Sequence, residues 1–326
     1  MNRWKRRRVF VTGCNGFVGG WLVKNLIEHD AKVVGLIRDI VPNSSLSLLG
    51  CLDKMNIVYG DVEDYELIER ALNEYDIDCI FHLAAQSQVG AANRSPLSTF
   101  KTNILGTLNI LEAARSLTSI KAIVVASSDK AYGSHKRLPY REDYALKGAH
   151  PYDASKACAD IISQAYHNMY KLPVAIARCG NIFGPTDLNL NRIVPDTIRA
   201  LCMDRRPLIR SDGKYIRDYL YISDAVSAYL CLANGILGKT NGVVGEAFNF
   251  GSGKPLSVIE LVNLIIKISG KLHKPKILNT ATGEIRKQYI SGRKAKNILG
   301  WMPQVRIESA LEDTYRWYED FFMERV

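Results

Sequence analysis

Val11-Thr12-Gly13-Cys14-Asn15-Gly16-Phe17-Val18-Gly19-Gly20 stands near the start of a chain of 326 residues. A β-branched run at residues 8–12 precedes its first glycine, and residues 17–30 that follow predict a helix. In such a turn the first glycine permits a tight bend, the second lets the backbone approach a pyrophosphate, and the third lets helix and strand pack closely. We therefore predict a dinucleotide-binding turn between the first strand and the first helix.

Outward from this turn the chain alternates between short apolar runs and helical segments. Further strands are predicted at residues 32–37, 56–59, 78–82, 120–126 and 174–178, and helices at residues 64–73, 96–116 and 152–170. Short, nearly continuous apolar strands between helices indicate a parallel sheet covered on both faces. The predicted fold is α/β, a doubly wound, Rossmann-type parallel sheet with a smaller C-terminal substrate domain.

The second half of the chain has a looser pattern. Its predicted helices lie at residues 193–203, 223–234, 256–269 and 307–322. We predict that residues 1–178 form an NAD(P)-binding Rossmann domain, joined by returning segments around residues 216–250. Residues 179–326 are predicted to be mainly a substrate domain.

Composition excludes several classes of protein. Seven scattered cysteines, an odd number, indicate reduced thiols and a cytoplasmic chain, and six dispersed histidines give no metal-ligand spacing. No apolar run is long enough to span a bilayer. The net charge of +10 suits an anionic ligand, but no aromatic-interleaved basic stripe points to nucleic acid. We predict no metal, no nucleic-acid partner and no membrane association.

The residues after the second and third strands bear on the choice of dinucleotide. An acid at the end of the second strand favours NAD and an arginine favours NADP, and here Arg38 and Asp39 follow the strand together. NAD and NADP therefore stay open. Asp61 and Val62 follow the third strand, where a carboxylate could reach the adenine amino group, although a helix N-cap explains Asp61 equally well.

Candidate catalytic groups lie in two segments further along the chain. Ser127-Ser128-Asp129-Lys130 follows the fifth strand, and Tyr152 precedes Lys156 by four residues, so these two share one helix face. A buried ammonium beside a phenol favours the phenolate, so we expect a lowered pKa for Tyr152. Such a pair is a general acid or base for a sugar hydroxyl.

Taken together, the chain resembles the extended short-chain dehydrogenase/reductases that act on nucleotide sugars. The resemblance covers nearly the whole sequence and rests on several separate motifs. These are Gly13/Gly16/Gly19, His82-Leu83-Ala84-Ala85, Asn103 within residues 102–107, Tyr152/Lys156, residues 178–185, Arg217-Asp218-Tyr219 and residues 299–303. The resemblance implies NAD or NADP as a tightly bound, recycled cofactor and a nucleotide-diphosphate sugar as substrate.

Residues 128–130 resemble the 4,6-dehydratase branch, in particular the CDP-glucose type, with features of the GDP-mannose type. This implies transient oxidation at C4 by bound NAD(P), loss of water across C5 and C6, and hydride return to C6, giving a 4-keto-6-deoxy sugar. Tyr152 would take the 4-OH proton and Ser128 would hold the same oxygen. Asp129 would be the acid at O6 and Lys130 the base at C5.

The resemblance assigns the remaining site residues. The catalytic set is Ser128, Asp129, Lys130, Tyr152 and Lys156. The cofactor set is Gly13, Asn15, Gly16, Phe17, Val18, Gly19, Arg38, Asp39, Asp61, Val62, Leu83, Ala84, Ala85, Gln86, Asn103, Tyr152 and Lys156. The substrate set is Ser87, Ser128, Asn181, Arg192, Arg217 and Arg286.

Several alternatives stay open. A 4-epimerase or a 4-keto reductase would use the same scaffold, and a non-catalytic dinucleotide-binding regulator is a third hypothesis. The nucleotide base and the sugar are open between CDP-glucose and GDP-mannose or heptose types. Relatives pair the helices near residues 96–116 and 152–170 in a homodimer, so a dimer is expected. The apolar residues of these helices could equally serve only to cover the sheet. They are Leu97, Phe100, Ile104, Leu108, Ile161, Ile162 and Tyr166.

Overall fold

The computed structural model describes residues 3–281 and 284–323, which form fourteen strands and eleven α-helices. The strands are β1 (Arg8–Thr12), β2 (Lys32–Ile37), β3 (Asn56–Tyr59), β4 (Cys79–His82), β5 (Ala122–Ser128), β6 (Val174–Cys179), β7 (Asn181–Phe183), β8 (Leu208–Ile209), β9 (Ile216–Arg217), β10 (Tyr219–Tyr221), β11 (Ala247–Phe250), β12 (Leu256–Ser257), β13 (Lys276–Ile277) and β14 (Lys287–Gln288).

The helices are α1 (Phe17–Glu28), α2 (Ser45–Leu48), α3 (Tyr65–Glu74), α4 (Val89–Arg94), α5 (Pro96–Phe100), α6 (Gly106–Arg115), α7 (Pro151–Tyr170), α8 (Ile193–Cys202), α9 (Ile222–Leu237), α10 (Val258–Ser269) and α11 (Ile307–Met323). A π turn, Lys101–Leu105, joins α5 to α6, so the helix predicted at residues 96–116 is interrupted at its centre. Strand β5 begins and ends two residues later than predicted.

Seven parallel strands form the main sheet, in the order β11-β6-β5-β4-β1-β2-β3. Side chains alternate across it, so Val9 and Val11 pack with α1 and α9 while Phe10 packs with α3 and α6 on the other face. Helices therefore cover both faces, and the predicted doubly wound, Rossmann-type fold is confirmed. A separate cluster of buried apolar residues lies among α8, α10 and α11.

The second half of the chain contributes to the main sheet. Strand β11 pairs with β6 at one edge, and α9 packs on the face that α1 covers. Within the segment predicted to return, residues 216–250, strand β10 pairs with β7 instead and lies outside the main sheet. The division of domains at residues 178 and 179 stays a prediction.

The described residues contain no helix suited to span a membrane and no disulfide bond. None of the helices in residues 3–281 and 284–323 has the length and apolarity needed to cross a bilayer. All seven cysteines fall within the described residues, and each is a free thiol.

The contact between the first strand and α1 leaves no room for a side chain at Gly19. A Cβ there would overlap the carbonyl oxygen of Gly13 and lie 2.8 Å from the Cα of Cys14. Because both neighbours are backbone atoms, they cannot move aside as the end of a flexible side chain would.

We therefore expect Gly19→Ala to lower the free energy of unfolding by about 1–3 kcal/mol or more, measured by urea denaturation. Gly292→Ala is the matched control, since the nearest atom to a Cβ there is 3.9 Å away. Equal unfolding midpoints for the two variants would contradict the close approach described here.

Candidate active site

A cavity of about 950 Å³ opens at the carboxyl ends of β1, β4, β5 and β6. In doubly wound sheets this edge is where ligands bind. The structure brings sixteen of the predicted site residues into its wall: Gly13, Asn15, Gly16, Phe17, Val18, Gly19, Leu83, Ala85, Ser87, Ser128, Lys130, Tyr152, Lys156, Asn181, Arg192 and Arg217. Predicted cofactor, catalytic and substrate residues thus share one cavity.

The glycine-rich turn has the geometry that a diphosphate needs. Gly13 has a positive φ of 67°, and a Cβ there would lie 2.7 Å from the backbone nitrogen of Ala84. Helix α1 begins at Phe17 after Gly16, with no side-chain cap and no acidic residue in its first turn. The first N–H groups of α1 are therefore left to an anionic ligand. These residues fit the pyrophosphate of a dinucleotide.

A buried chain of polar groups supports this turn from behind. Thr12 Oγ1 lies 2.8 Å from His82 Nδ1 and accepts hydrogen bonds from the backbone nitrogens of Leu83 and Ala84. His82 Nε2 lies 3.0 Å from Thr107 Oγ1. Burial lowers the pKa of His82 to about 3, so the ring is neutral and structural. The ends of β1 and β4 are thereby held together.

Asn103 lies on the π turn, behind the cavity wall. Its Oδ1 accepts a hydrogen bond of 2.7 Å from the backbone nitrogen of Gln86, and its Nδ2 donates to Ser155 Oγ at 2.8 Å. Ser155 Oγ in turn donates to the carbonyl of Tyr152. This contact joins the segment after β4 to α7, and the binding of the cofactor by Asn103 and Gln86 stays a prediction.

Tyr152 and Lys156 lie one turn apart on α7 and are both buried. Lys156 Nζ donates a hydrogen bond of 2.7 Å to the carbonyl of Ala126, and burial lowers the pKa of Lys156 to about 8. Burial also raises the pKa of Tyr152 to about 12, against a smaller opposite effect of Ser128. The expected lowering of the Tyr152 pKa is therefore wrong for the protein alone, because desolvation of the phenolate outweighs the groups that favour it.

Asp129 lies directly behind the cavity wall and does not line it. Its side chain is fully buried, Ser128 Oγ donates to its Oδ1 at 3.1 Å, and its Oδ2 has no hydrogen-bond partner among the described residues. Burial raises the pKa of Asp129 to about 6, while Lys130 and Ser128 act in the opposite direction. The half-buried side chain of Lys130 does line the cavity. The protein thus holds a protonatable carboxyl one hydroxyl group away from the cavity.

The far end of the cavity is rich in arginine. Arg192 Nη1 pairs with the buried Asp187 at 3.1 Å, and Arg217 Nη2 pairs with Glu284 at 3.2 Å. The structure does not bring Arg286 to the cavity wall, and its contact with substrate stays a prediction. Its side chain is exposed and outside the wall, while its carbonyl accepts hydrogen bonds from Ile216 and Arg217.

Sequence reasoning missed several residues of the wall. They are Arg94, Arg210, Tyr215, Tyr219 and Glu284. Tyr219 belongs to the Arg217-Asp218-Tyr219 motif, so the motif itself was the available signal, and its buried hydroxyl has no partner in the described chain. Arg94 ends the short helix that follows the β4 motif, whereas Arg210 follows a two-residue strand that no local pattern marks.

The predicted adenosine residues lie beside the cavity and outside its wall. Arg38, Asp39 and Asp61 form one cluster of charges, and Val62 is buried against Gly106. Among residues 3–281 and 284–323, no three His, Cys, Asp or Glu side chains come together as metal ligands.

Two curated relatives catalyse different reactions. The chain is 33% identical over 262 residues to a CDP-glucose 4,6-dehydratase of Salmonella typhimurium, covering 77% of this chain and 72% of the relative. It is 30% identical over 317 residues to a UDP-glucose 4-epimerase of Mycolicibacterium smegmatis, covering 96% and 99%.

The solved structures that resemble this chain also include both an epimerase and a dehydratase. The UDP-glucose 4-epimerase of Thermotoga maritima, solved with UDP-glucose, superposes with a TM-score of 0.88 at 28% identity, covering 97% of this chain and 99% of that one. The dTDP-glucose 4,6-dehydratase of Bacillus anthracis, solved with NAD, gives 0.84 at 29% identity, covering 96% and 97%.

The family model described as GDP-mannose 4,6 dehydratase matches residues 10–314, nearly the whole chain. Enzymes of this family use NAD(P), in agreement with the glycine turn and the cavity described above. The chain therefore belongs to the GDP-mannose 4,6-dehydratase family of extended short-chain dehydrogenase/reductases, enzymes that act on nucleotide sugars.

Proposed function

We propose that this protein is a nucleotide-sugar 4,6-dehydratase, a lyase that converts an NDP-hexose into an NDP-4-keto-6-deoxy sugar. The observation that carries the proposal is Asp129, a buried carboxyl with a pKa of about 6, placed directly after Ser128 and before Lys130. Removal of water needs an acid for the leaving hydroxyl and a base for the C5 proton. A 4-epimerase needs neither group.

Tyr152 and Lys156 serve the oxidation at C4. NAD(P), when bound, supplies the reversible redox step, and its cationic ring favours a nearby phenolate. Tyr152 takes the proton of the 4-hydroxyl, and Ser128 holds the same oxygen. Lys156, with a pKa of about 8, exchanges a proton close to neutral pH and is placed to relieve Tyr152 of its own.

Asp129 and Lys130 serve the elimination. The 4-ketone acidifies C5, and Lys130 in the cavity wall takes the C5 proton. Protonated Asp129 gives its proton to Ser128 Oγ while Ser128 passes its own hydroxyl proton to the leaving 6-hydroxyl, so that water departs. The hydrogen bond that Ser128 donates to Asp129 in the protein alone reverses its direction for this step. Lys130, whose ammonium protons exchange with solvent, then delivers a proton to C5 as C6 is reduced.

The substrate is a nucleotide-diphosphate sugar of the CDP-glucose type or the GDP-mannose or heptose type. Asn181, Arg192 and Arg217 lie together at the far end of the cavity, where guanidinium groups bind diphosphate oxygens. A 4-epimerase is the second candidate, because the UDP-glucose 4-epimerase relative matches 96% of the chain and the CDP-glucose 4,6-dehydratase relative 77%. A 4-keto reductase on the same scaffold would differ in consuming reduced cofactor.

The reaction is tested with the purified protein and a panel of nucleotide sugars in deuterated buffer. We expect a product lighter by one water, with one deuterium at C5, from a single member of the panel of CDP-glucose, GDP-mannose, dTDP-glucose and UDP-glucose. Mass spectrometry detects the loss and NMR spectroscopy locates the deuterium. Unchanged mass with inverted C4 would make the protein an epimerase and would leave Asp129 a structural role.

Two variants, assayed with the substrate identified in that screen, separate the oxidation at C4 from the loss of water. Asp129→Asn should slow water loss by about 10²–10⁴-fold while the absorbance of reduced nicotinamide still appears. Tyr152→Phe should abolish both signals. Full turnover by Tyr152→Phe would refute the role proposed for Tyr152, whereas a wild type that converts no member of the panel would support the non-catalytic regulator hypothesis.

The buried charge of Asp129 also has a cost in stability that depends on pH. The folded-state pKa of about 6 lies above the ordinary value of 3.8, so the wild type loses stability as pH rises through this interval. Asp129→Asn keeps an Oδ1 acceptor without the charge. We expect it to be more stable than the wild type by about 2–3 kcal/mol above pH 6, and the gain to vanish below about pH 4. Thermal unfolding across pH measures this, and the exposed Asp143→Asn should show no such trend.

We also propose a cytoplasmic homodimer that pairs α5 and α7 of one protomer with those of its partner. Exposed apolar side chains include Leu97 of α5 at 69%, Leu105 of the π turn that follows α5 at 39%, and Ile161 of α7 at 58%. Other predicted members of this face, Ile162 and Tyr166, pack against the sheet. An apolar face of this kind favours association.

We expect Leu97→Asp/Ile161→Asp to weaken a dimer by at least about 100-fold, measured by sedimentation equilibrium. The control is Leu272→Asp, a leucine that is 99% exposed and lies away from these helices. A wild type that sediments as a monomer, or a double variant that dimerises like the control, would refute the proposed interface.

A further inference from the structure

The ends of β2 and β3 bring together charges that are separate in the sequence. Arg38 and Asp39 follow β2, and Asp61 follows β3, the next strand of the sheet. Asn15 of the glycine turn donates a hydrogen bond of 3.1 Å from Nδ2 to the carbonyl of Asp39. The charges therefore lie next to the phosphate turn, on the side where the adenosine ribose of a dinucleotide is held in folds of this type.

Arg38 is held between two carboxylates. Its Nε donates to Asp39 Oδ2 at 2.7 Å, and its Nη1 lies 3.8 Å from Asp61 Oδ2. Asp61 is fixed in turn, because its Oδ1 accepts from the backbone nitrogen of Glu63 at 3.0 Å. The hydrogen bond to Asp39 raises the pKa of Arg38, with smaller contributions from the charges of Asp61 and Glu63.

The balance of charge at this position is negative. One guanidinium faces three carboxylates, those of Asp39, Asp61 and Glu63. A 2′-phosphate would bring about two further negative charges against a cation already in ion pairs. A 2′-hydroxyl would bring no charge and could donate to a carboxylate. An arginine at the end of β2 without these carboxylates beside it would have favoured a 2′-phosphate.

We infer that Asp61, together with Asp39, holds Arg38 so that this protein selects NAD over NADP. Asp39 makes the closer contact with Arg38, and the carboxylate at the end of β3 adds a second negative charge against the residue that would otherwise accept a 2′-phosphate. The inference rests on the dinucleotide site alone and does not depend on which reaction follows.

Nucleotide retention tests the inference without any sugar substrate. The purified full-length protein is incubated with equal concentrations of NAD⁺ and NADP⁺ until the bound ratio is constant, then freed of unbound nucleotide and denatured. Chromatography with mass spectrometry quantifies what is released. We expect the wild type to retain NAD over NADP by at least about 100-fold, as like-charge contacts require.

Three variants identify the group responsible. Asp61→Asn keeps the Oδ1 acceptor for Glu63 and should raise the NADP share by about tenfold or more. Adding Arg38→Ala should reverse that rise, because Arg38 is the cation that Asp61→Asn releases. Glu66→Gln, which removes an exposed charge from the first turn of α3, should leave the ratio unchanged.

A wild type that retains NADP as well as NAD would overturn the inference. So would an Asp61→Asn ratio equal to that of the wild type or of Glu66→Gln. All of these side chains are at the surface, so each variant is expected to fold, and its unfolding temperature is measured alongside.

Discussion

The buried ion pair of Arg178 and Asp160 joins the parts of the site to one another. Arg178 donates to both carboxylate oxygens of Asp160, at 2.7 and 2.8 Å, with both side chains almost fully buried. A third hydrogen bond runs to Tyr132 Oη, which donates to Asn249 Oδ1. Since a buried pair is stable only when its remaining groups are satisfied, helix α7, the turn after β5 and strand β11 depend on each other. Helix α7, which carries Tyr152 and Lys156, and the turn that contains Asp129 are thereby fixed to one guanidinium.

Most of the sheet was predictable, because its strands are short apolar runs and the glycine turn marks where the first one ends. The exceptions have physical causes. The π turn at residues 101–105 lies within an otherwise helical stretch, and no sequence pattern marks such a turn. The pairing of β11 with β6 joins segments about seventy residues apart, and a four-residue strand carries no signal of its partner.

The positions of site residues could be predicted where the residue type alone gives the role. Properties that depend on the surrounding structure could not. Gly13, Ser128 and Lys130 lie where the motifs placed them. The pKa of Tyr152 and the placement of Asp129 behind Ser128 come from burial, which only the packed structure defines. The side chain of Arg286 is exposed, while its backbone carbonyl accepts a hydrogen bond from Arg217. In the proposed function, two side chains on a shared scaffold, Asp129 and Lys130, distinguish a dehydratase from an epimerase.

Strand β11 also affects how the chain is made. Ribosomes deliver residues 174–179 well before residues 247–250, so the nascent sheet has β6 as an open edge until the second half of the chain emerges. An open edge of a parallel sheet is a template for pairing with other chains. Asn249, on the same strand, also completes the hydrogen bonds of Tyr132. A polypeptide terminated before residue 247 would therefore keep β6 as an open edge and be exposed to aggregation, because the main sheet is complete only once β11 has been made.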